Sequence, residues 1–376
     1  MRESEDDFDR AWSSFTPGTG IAVGSLIREA REAGADLSTW DHLKIGLGGG
    51  ERQVPSVPLL PPHDRKPLQG GTYTANEALE LLNSHYFIGK SDQQTGIFRI
   101  KEDGYPVFVP PDQFKLDVAN IFVRPGNGSG KPISGEKFWK ESPYRHQRTI
   151  VFKPGGKVEG DEFNLWRGFA VTPRSGWQKQ RRLMQHIWQI ICRRDKDKFK
   201  YIMRWLAFLV QHPDKSPGAI IVLKSRKEGT GKSTVGTVLL KIFWPENGAL
   251  IDDKDRLLGR FNDWLEPICF LLAEEVLWPG DHKATDKLKS LITADTLQLE
   301  RKHGGIWPAP NRLHCIMTSN HAHAVAAGAG NGRYVVFEVS EVRACDKTWF
   351  GPLYADLDAG GVSEFLDFLL KVRLGD

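Results

Sequence analysis

Two kinds of apolar spacing alternate along the second half of the chain. Ala219-Ile-Ile-Val-Leu223 is a continuous apolar run of strand length, and Val235 to Phe243 follows it with helical spacing. Ile268 to Glu275 and Arg312 to Asn320 are two more apolar runs, each ending in polar residues. Between them Thr296 to Arg301 predicts an extended segment, His303-Gly-Gly305 a turn, and Ile306-Trp307 a returning strand, together a hairpin. Earlier in the chain, Ala75 to Leu82 predicts a helix, and Thr95 to Ile100 and Thr149 to Phe152 predict strands. Leu183, Ile187, Ile190 and Ile191 recur at helical spacing, as do Ile202, Leu206 and Leu209. Alternation of strand and helix from about residue 216 onward indicates an α/β fold with a mostly parallel sheet, preceded by a mixed α+β and helical domain.

These patterns set expected boundaries. Residues 1–44 form a short unit in which Leu26, Ala30 and Ala33 suggest a helix ending near Gly34. Residues 45–71 read as a linker, because six glycines and five prolines fall among the 26 positions from Gly46 to Gly71. A mixed domain then covers 72–215, an α/β domain 216–345, and a helical segment 346–376. A chain of 376 residues exceeds the usual single core, which fits this division.

Composition changes the picture little. A net charge of +4 over the whole chain does not require a nucleic-acid partner, but Gln178 to Arg204 carries nine Lys/Arg against two Asp. That run is either a solvated helix face or an electrostatic footprint for a phosphate backbone. Cys192, Cys269, Cys315 and Cys345 are far apart, with no C-x-x-C spacing, which argues against a zinc site or a disulfide framework. The charged start, Met1 to Asp7, lacks an apolar core, and no apolar run approaches the ~20 residues of a membrane span. The expectation is a soluble protein of the cytoplasm with no membrane partner.

The candidate chemistry sits between the first strand and helix. Glu228, Gly229, Thr230, Gly231, Lys232, Ser233 and Thr234 form a glycine-rich turn in the strand-turn-helix context of a phosphate-binding loop. Backbone N–H groups there curl around phosphates and the helix adds its positive end. Lys232 is expected on the β/γ-phosphates of ATP and Ser233 on Mg²⁺. Arg226 stands where the full G-x-x-x-x-G-K-[ST] pattern has glycine. Hydrolysis needs a carboxylate for the metal and a group that orients water. Glu274 and Glu275 offer both, Glu274 completing the Mg²⁺ site with Ser233. Asn320 is placed to bond the γ-phosphate or the lytic water, or merely to cap the next turn. Arg301, Lys302 and His303 cluster at the hairpin tip, where exposed basic residues can serve as edge protection.

In this order, the pieces from about Thr72 onward resemble the superfamily 3 helicases of phages and plasmids. These are AAA+-like P-loop ATPases often fused to a primase or primase-polymerase. The likeness rests on Gly229 to Thr234, Glu274-Glu275, Leu288 to Thr293, Glu300 to Lys302, Thr318 to His321 and Arg333 to Ser340, with Phe163 to Ala170 and Val210 to Pro213 upstream. Residues 5–34 resemble, over a short stretch, the tail of a primase C-terminal module. The resemblance implies a ring, as a hexamer, with Lys302 and its neighbours gripping single-stranded DNA. It implies Arg333 as a catalytic arginine finger, although Gly332-Arg333 stands where the family has an arginine pair. It also implies a primase partner and a C-terminal helical region that begins near Gly360. The expected function is an ATP-dependent DNA helicase or translocase in phage or mobile-element replication. The competing readings are an ATP-dependent DNA-binding loader without unwinding activity and a small-molecule P-loop kinase.

Overall fold

The computed structural model describes residues 68–91, 95–124, 131–243, 245–276, 287–288, 290–291, 294–302, 305–320 and 334–374. Residues 1–44 and the linker up to residue 67 lie outside them, as do His303 and Arg333. The chain divides into two compact units, which among the described residues run over 68–167 and 168–374. The sequence-based boundary at 215/216 falls inside the second unit. Among the described residues, no helix is long and apolar enough to cross a membrane.

The first unit contains β1 (Gly71–Thr74), α1 (Ala75–His85), β2 (Tyr86–Lys90), β3 (Thr95–Ile100), β4 (Pro106–Val109), α2 (Pro111–Asp117), β5 (Ile121–Arg124), β6 (Ile133–Ser134), α3 (Gly135–Glu141), β7 (Gln147–Val151) and β8 (Glu162–Asn164). Thr74 and Glu77 close a capping box that starts α1. Five strands form a sheet in the order β4-β3-β2-β7-β8, and three form a second in the order β1-β5-β6. Leu81, Leu82, Tyr86, Ile97, Phe114, Ile121 and Trp139 pack into its core. Trp139 donates from its indole N–H to Asn83 Oδ1 at 2.9 Å, so the buried ring leaves no polar atom unpaired.

The second unit opens with α4 (Arg181–His186), which runs through one wide π turn, Ile187–Ile191, and then α5 (Lys196–Gln211), capped by Asp195. There follow β9 (Ile220–Lys224), α6 (Thr234–Ile242), β10 (Gly248–Ile251), α7 (Lys254–Leu258), β11 (Phe270–Glu274), β12 (Thr296–Glu300), β13 (Ile306–Pro310), β14 (His314–Ser319), β15 (Tyr334–Glu338), α8 (Lys347–Asp356) and α9 (Val362–Lys371). Five strands form an all-parallel sheet in the order β10-β11-β14-β9-β15. Its inner strands are continuous apolar runs because both faces are covered. Ile220, Val222, Leu271, Ala273, Cys315 and Met317 belong to one buried cluster. The predicted hairpin is the antiparallel pair β12-β13, with Thr296 opposite Pro310 and Glu300 opposite Ile306.

Part of the basic run from Gln178 to Arg204 is used within the chain. Lys179 and Arg182 both pair with Asp356 on α8, and Arg193 pairs with Glu338 on β15. Burial would raise the Asp356 carboxyl, but Arg182 and Lys179 outweigh it and hold its pKa below the ordinary value. The two Asp356 pairs, with Glu364 on α9 accepting from the Lys179 N–H at 2.9 Å, fasten the C-terminal helices to the start of the unit.

Candidate nucleotide site

Three neighbouring parallel strands deliver the candidate residues to one end of the sheet. β9 lies beside β14, with Ser319 opposite Lys224, and β14 lies beside β11, with Thr318 opposite Glu274. All three strands run the same way, so the glycine loop, Glu274-Glu275 and Asn320 emerge together at their carboxyl ends. Ligands of open parallel α/β sheets characteristically bind there.

The loop has the geometry its glycines predict. Gly229 and Gly231 adopt φ of +67 and +78, a region that disfavours side chains. Space gives a second reason for glycine at both positions. A Cβ on Gly229 would lie 2.5 Å from Cys345 Sγ, and one on Gly231 would lie 2.5 Å from the Phe350 ring and 2.6 Å from His186. Arg226, by contrast, has an ordinary negative φ, so its side chain imposes no backbone strain. The start of the loop is held by Glu341, whose Oε1 accepts from the N–H groups of Arg226 at 2.9 Å and Lys227 at 3.2 Å. Inside the turn, the Ser225 and Thr230 hydroxyls lie 3.1 Å apart.

The catalytic candidates meet one another. Lys232, only 9% exposed, donates to Asn320 Oδ1 at 2.5 Å, and Ser233 donates to Glu274 Oε1. Glu275 accepts at Oε2 from the Asn320 backbone N–H at 3.2 Å. Its own backbone is in the left-handed region, φ +54, and its N–H donates to the Thr318 carbonyl at 3.1 Å. Such a conformation in a non-glycine residue costs about 1–3 kcal/mol and concentrates at functional sites. The hydroxyl of Ser233 and the carboxylate of Glu274 are hard oxygen donors held side by side. That pair suits Mg²⁺, which takes few protein ligands and completes its shell with phosphate and water. Among the described residues, no group of three or more His, Cys, Asp or Glu could hold a metal by itself.

Residues that sequence reading did not name complete the site. A cavity of about 460 Å³ is lined by Gly229 to Thr234, Thr237, Cys345, Lys347, Phe350 and Tyr354. The last four come from α8 and the turn before it. His186 braces the loop from behind: its Nδ1 accepts from the Trp349 indole N–H at 3.3 Å, so Nε2 carries the proton and donates to the Gly231 carbonyl at 3.0 Å. Burial pushes the His186 pKa down to about 4, so the ring is neutral. Its neighbour on α8, Phe350, meets the imidazole edge-on at 5.6 Å.

At the hairpin, Arg301 donates to Asp263 at 2.8 Å and lies over the Trp307 ring, whereas Lys302 is exposed. Beside the hairpin, the loop after α7 carries Arg260, which donates to both Glu300 carboxylate oxygens at 2.7 and 2.8 Å, and a 46% exposed Phe261. Asn262 fixes that loop to the hairpin, donating from its side chain to the Gln298 carbonyl at 3.1 Å and accepting from the Glu300 N–H at 2.8 Å. Sequence reading named the hairpin tip but not this adjoining loop.

Residues 223–333 match the profile of a family of unknown function, DUF5906. The chain is 27% identical over 179 residues to the DNA primase-polymerase of Nitratiruptor phage NrS-1, covering 46% of this chain and 24% of that protein. The chain therefore spans about a quarter of that relative's length. The A-form apo structure of the NrS-1 C-terminal region superposes with a TM-score of 0.60 at 18% identity, covering 78% of this chain and 68% of that one. A second apo structure of that region gives a TM-score of 0.58 at 18% identity, over 76% and 67% of the two chains. The chain is thus related to a phage primase-polymerase and shares the fold of its C-terminal region.

Proposed function

We propose that the second unit is a Mg²⁺-dependent P-loop nucleoside triphosphatase of AAA+-like, superfamily 3 type. We propose further that the chain works as an ATP-driven DNA helicase or translocase. One observation carries this reading: Lys232 and Ser233, Glu274 and Glu275, and Asn320 converge from three adjacent strand ends in hydrogen-bonded pairs. Lys232 would leave Asn320 for the β/γ-phosphates, and Ser233 with Glu274 would hold Mg²⁺. The metal would supply charge neutralisation at the phosphates. Glu275 would polarise the attacking water and Asn320 would orient it. Arg333, with the resemblance behind it, would complete an adjacent subunit's site in a ring, as a hexamer.

Exposed Lys302 on the hairpin, with exposed Phe261 on the adjoining loop, supports single-stranded DNA as the track, since a cation and an exposed ring serve backbone and base. The likeness to a phage DNA primase-polymerase supports a role in replication of a phage or mobile element in a bacterial cytoplasm, alongside a primase or primase-polymerase. The test is triphosphate hydrolysis with and without single-stranded DNA, set beside strand displacement. DNA-stimulated hydrolysis with displacement is expected. Stimulated hydrolysis without displacement would make the chain a loader, and no hydrolysis would remove the reading.

A further inference from the structure

The base end of this site is built from rings and hydroxyls. Phe350 and Tyr354 lie one turn apart on α8, their rings near-parallel at 23° and 6.1 Å between centroids. Both line the cavity, facing Thr234 and Thr237 at the start of α6. The hydroxyls there are committed: Thr234 Oγ1 and the Tyr354 OH lie 3.2 Å apart, and Thr237 donates to the Ser233 carbonyl at 3.1 Å. The Thr230 hydroxyl is held by Ser225 at 3.1 Å, and beyond the Lys232 and Ser233 of the phosphate end the remaining polar side chains of the lining are Lys347 and the weakly polar Cys345 thiol. An ammonium only donates, and every nucleobase offers it acceptors. Among the described residues, the lining holds no Asn, Gln, Asp or Glu. Those are the side chains that present paired donors and acceptors to one base, or a carboxylate to guanine. The Cys345 N–H is also committed, to the Gly229 carbonyl at 3.0 Å.

We propose that Phe350 and Tyr354 hold the base by ring contact without reading its hydrogen-bonding edge, so that the site accepts the four common nucleoside triphosphates with little discrimination. This rests on the nucleotide reading above and adds its substrate range. Sites that hydrogen-bond a distinguishing group reject analogues by about 10⁴-fold, whereas apolar contact separates ligands only by roughly 10- to 200-fold. Ring stacking is tolerant in the same way, because every base has a π-face.

The experiment uses the full chain with Mg²⁺, measuring phosphate release from ATP, GTP, CTP and UTP and inhibition by inorganic tripolyphosphate, which has no base. The four kcat/KM values are expected within about tenfold of one another. Tyr354 is 45% exposed, so Tyr354→Ala leaves the core intact. It is expected to weaken all four nucleotides to a similar extent, roughly tenfold, while tripolyphosphate inhibits as in the wild type. A preference above a hundredfold for one base overturns the proposal and leaves the nucleotide site standing. Equal weakening of tripolyphosphate and nucleotides overturns it too, since Tyr354 would then shape the phosphate loop. If no triphosphate is hydrolysed or bound, the underlying assignment falls and this inference with it.

Discussion

Acidification should loosen the nucleotide site through His186 before most carboxylates titrate. The ring is fully buried, and its Nδ1 already accepts from Trp349, so a second proton would set a donor against a donor. Burial lowers its pKa from the ordinary 6.5 to about 4. A histidine depressed in the fold is stabilising above its unfolded pKa, and the unfolded chain takes up its proton first as pH falls. Stability therefore declines between about pH 6.5 and about pH 4, by about 3 kcal/mol in all for this residue. His314, buried and pushed down to about 3, acts in the same direction. Between about pH 6 and pH 5 each histidine contributes ~1 kcal/mol. Urea unfolding followed by tryptophan fluorescence at both pH values, for wild type and His186→Gln, isolates the term, because glutamine retains an N–H donor for the Gly231 carbonyl. The wild type should lose ~1 kcal/mol more than the variant over that interval. Equal losses would refute the buried neutral histidine.

Gly231→Ala should abolish nucleotide binding and lower the melting temperature, since its Cβ would strike Phe350 and His186 from a φ of +78; unchanged binding by calorimetry would contradict the loop geometry. Lys232→Ala should lose nucleotide affinity, whereas Glu275→Gln should retain affinity and lose turnover at least a hundredfold, about 3 kcal/mol of transition-state stabilisation. Wild-type phosphate release from Glu275→Gln would discard that assignment. Lys302→Ala and Phe261→Ala should each reduce strand displacement more than hydrolysis without DNA, and the salt dependence of DNA binding should flatten only for the lysine. The resemblance makes Arg333 a residue that acts on a neighbour's nucleotide, so mixing Arg333→Ala with Lys232→Ala chains should restore part of the hydrolysis that each lacks alone.

The strands that build the site were legible because each is a continuous apolar run ending in polar residues. β11 and β14 fall within Ile268 to Glu275 and Arg312 to Asn320, and β9 overlaps Ala219 to Leu223 and runs one residue past it. The glycine loop was legible for the same local reason, and its Arg226 departure is harmless because that position needs no positive φ. Illegible were the contributions from distant segments. His186 and Glu341 act through backbone atoms of the loop, and no motif encodes such a contact. Phe350 and Tyr354 carry a faint signal, an aromatic pair at helical spacing, but Pro352 between them argues against a helix interior. The basic run is partly used within the chain. Charge counted along a sequence ignores Asp356 and Glu338, which only folding brings to Lys179, Arg182 and Arg193.

The crowding of Cys345 against Gly229 makes the native chain its own reporter. Cys192, Cys269 and Cys315 are buried, and burial raises all three thiols, which suppresses the reactive thiolate. Cys345 is exposed, on the wall of the cavity and in contact distance of the loop. A maleimide fluorophore offered to the unmodified protein should therefore attach at one place, the mouth of the site. Its rate of attachment becomes a direct gauge of occupancy, slowed by whatever fills the cavity, and the attached dye needs no engineered cysteine to watch nucleotides come and go.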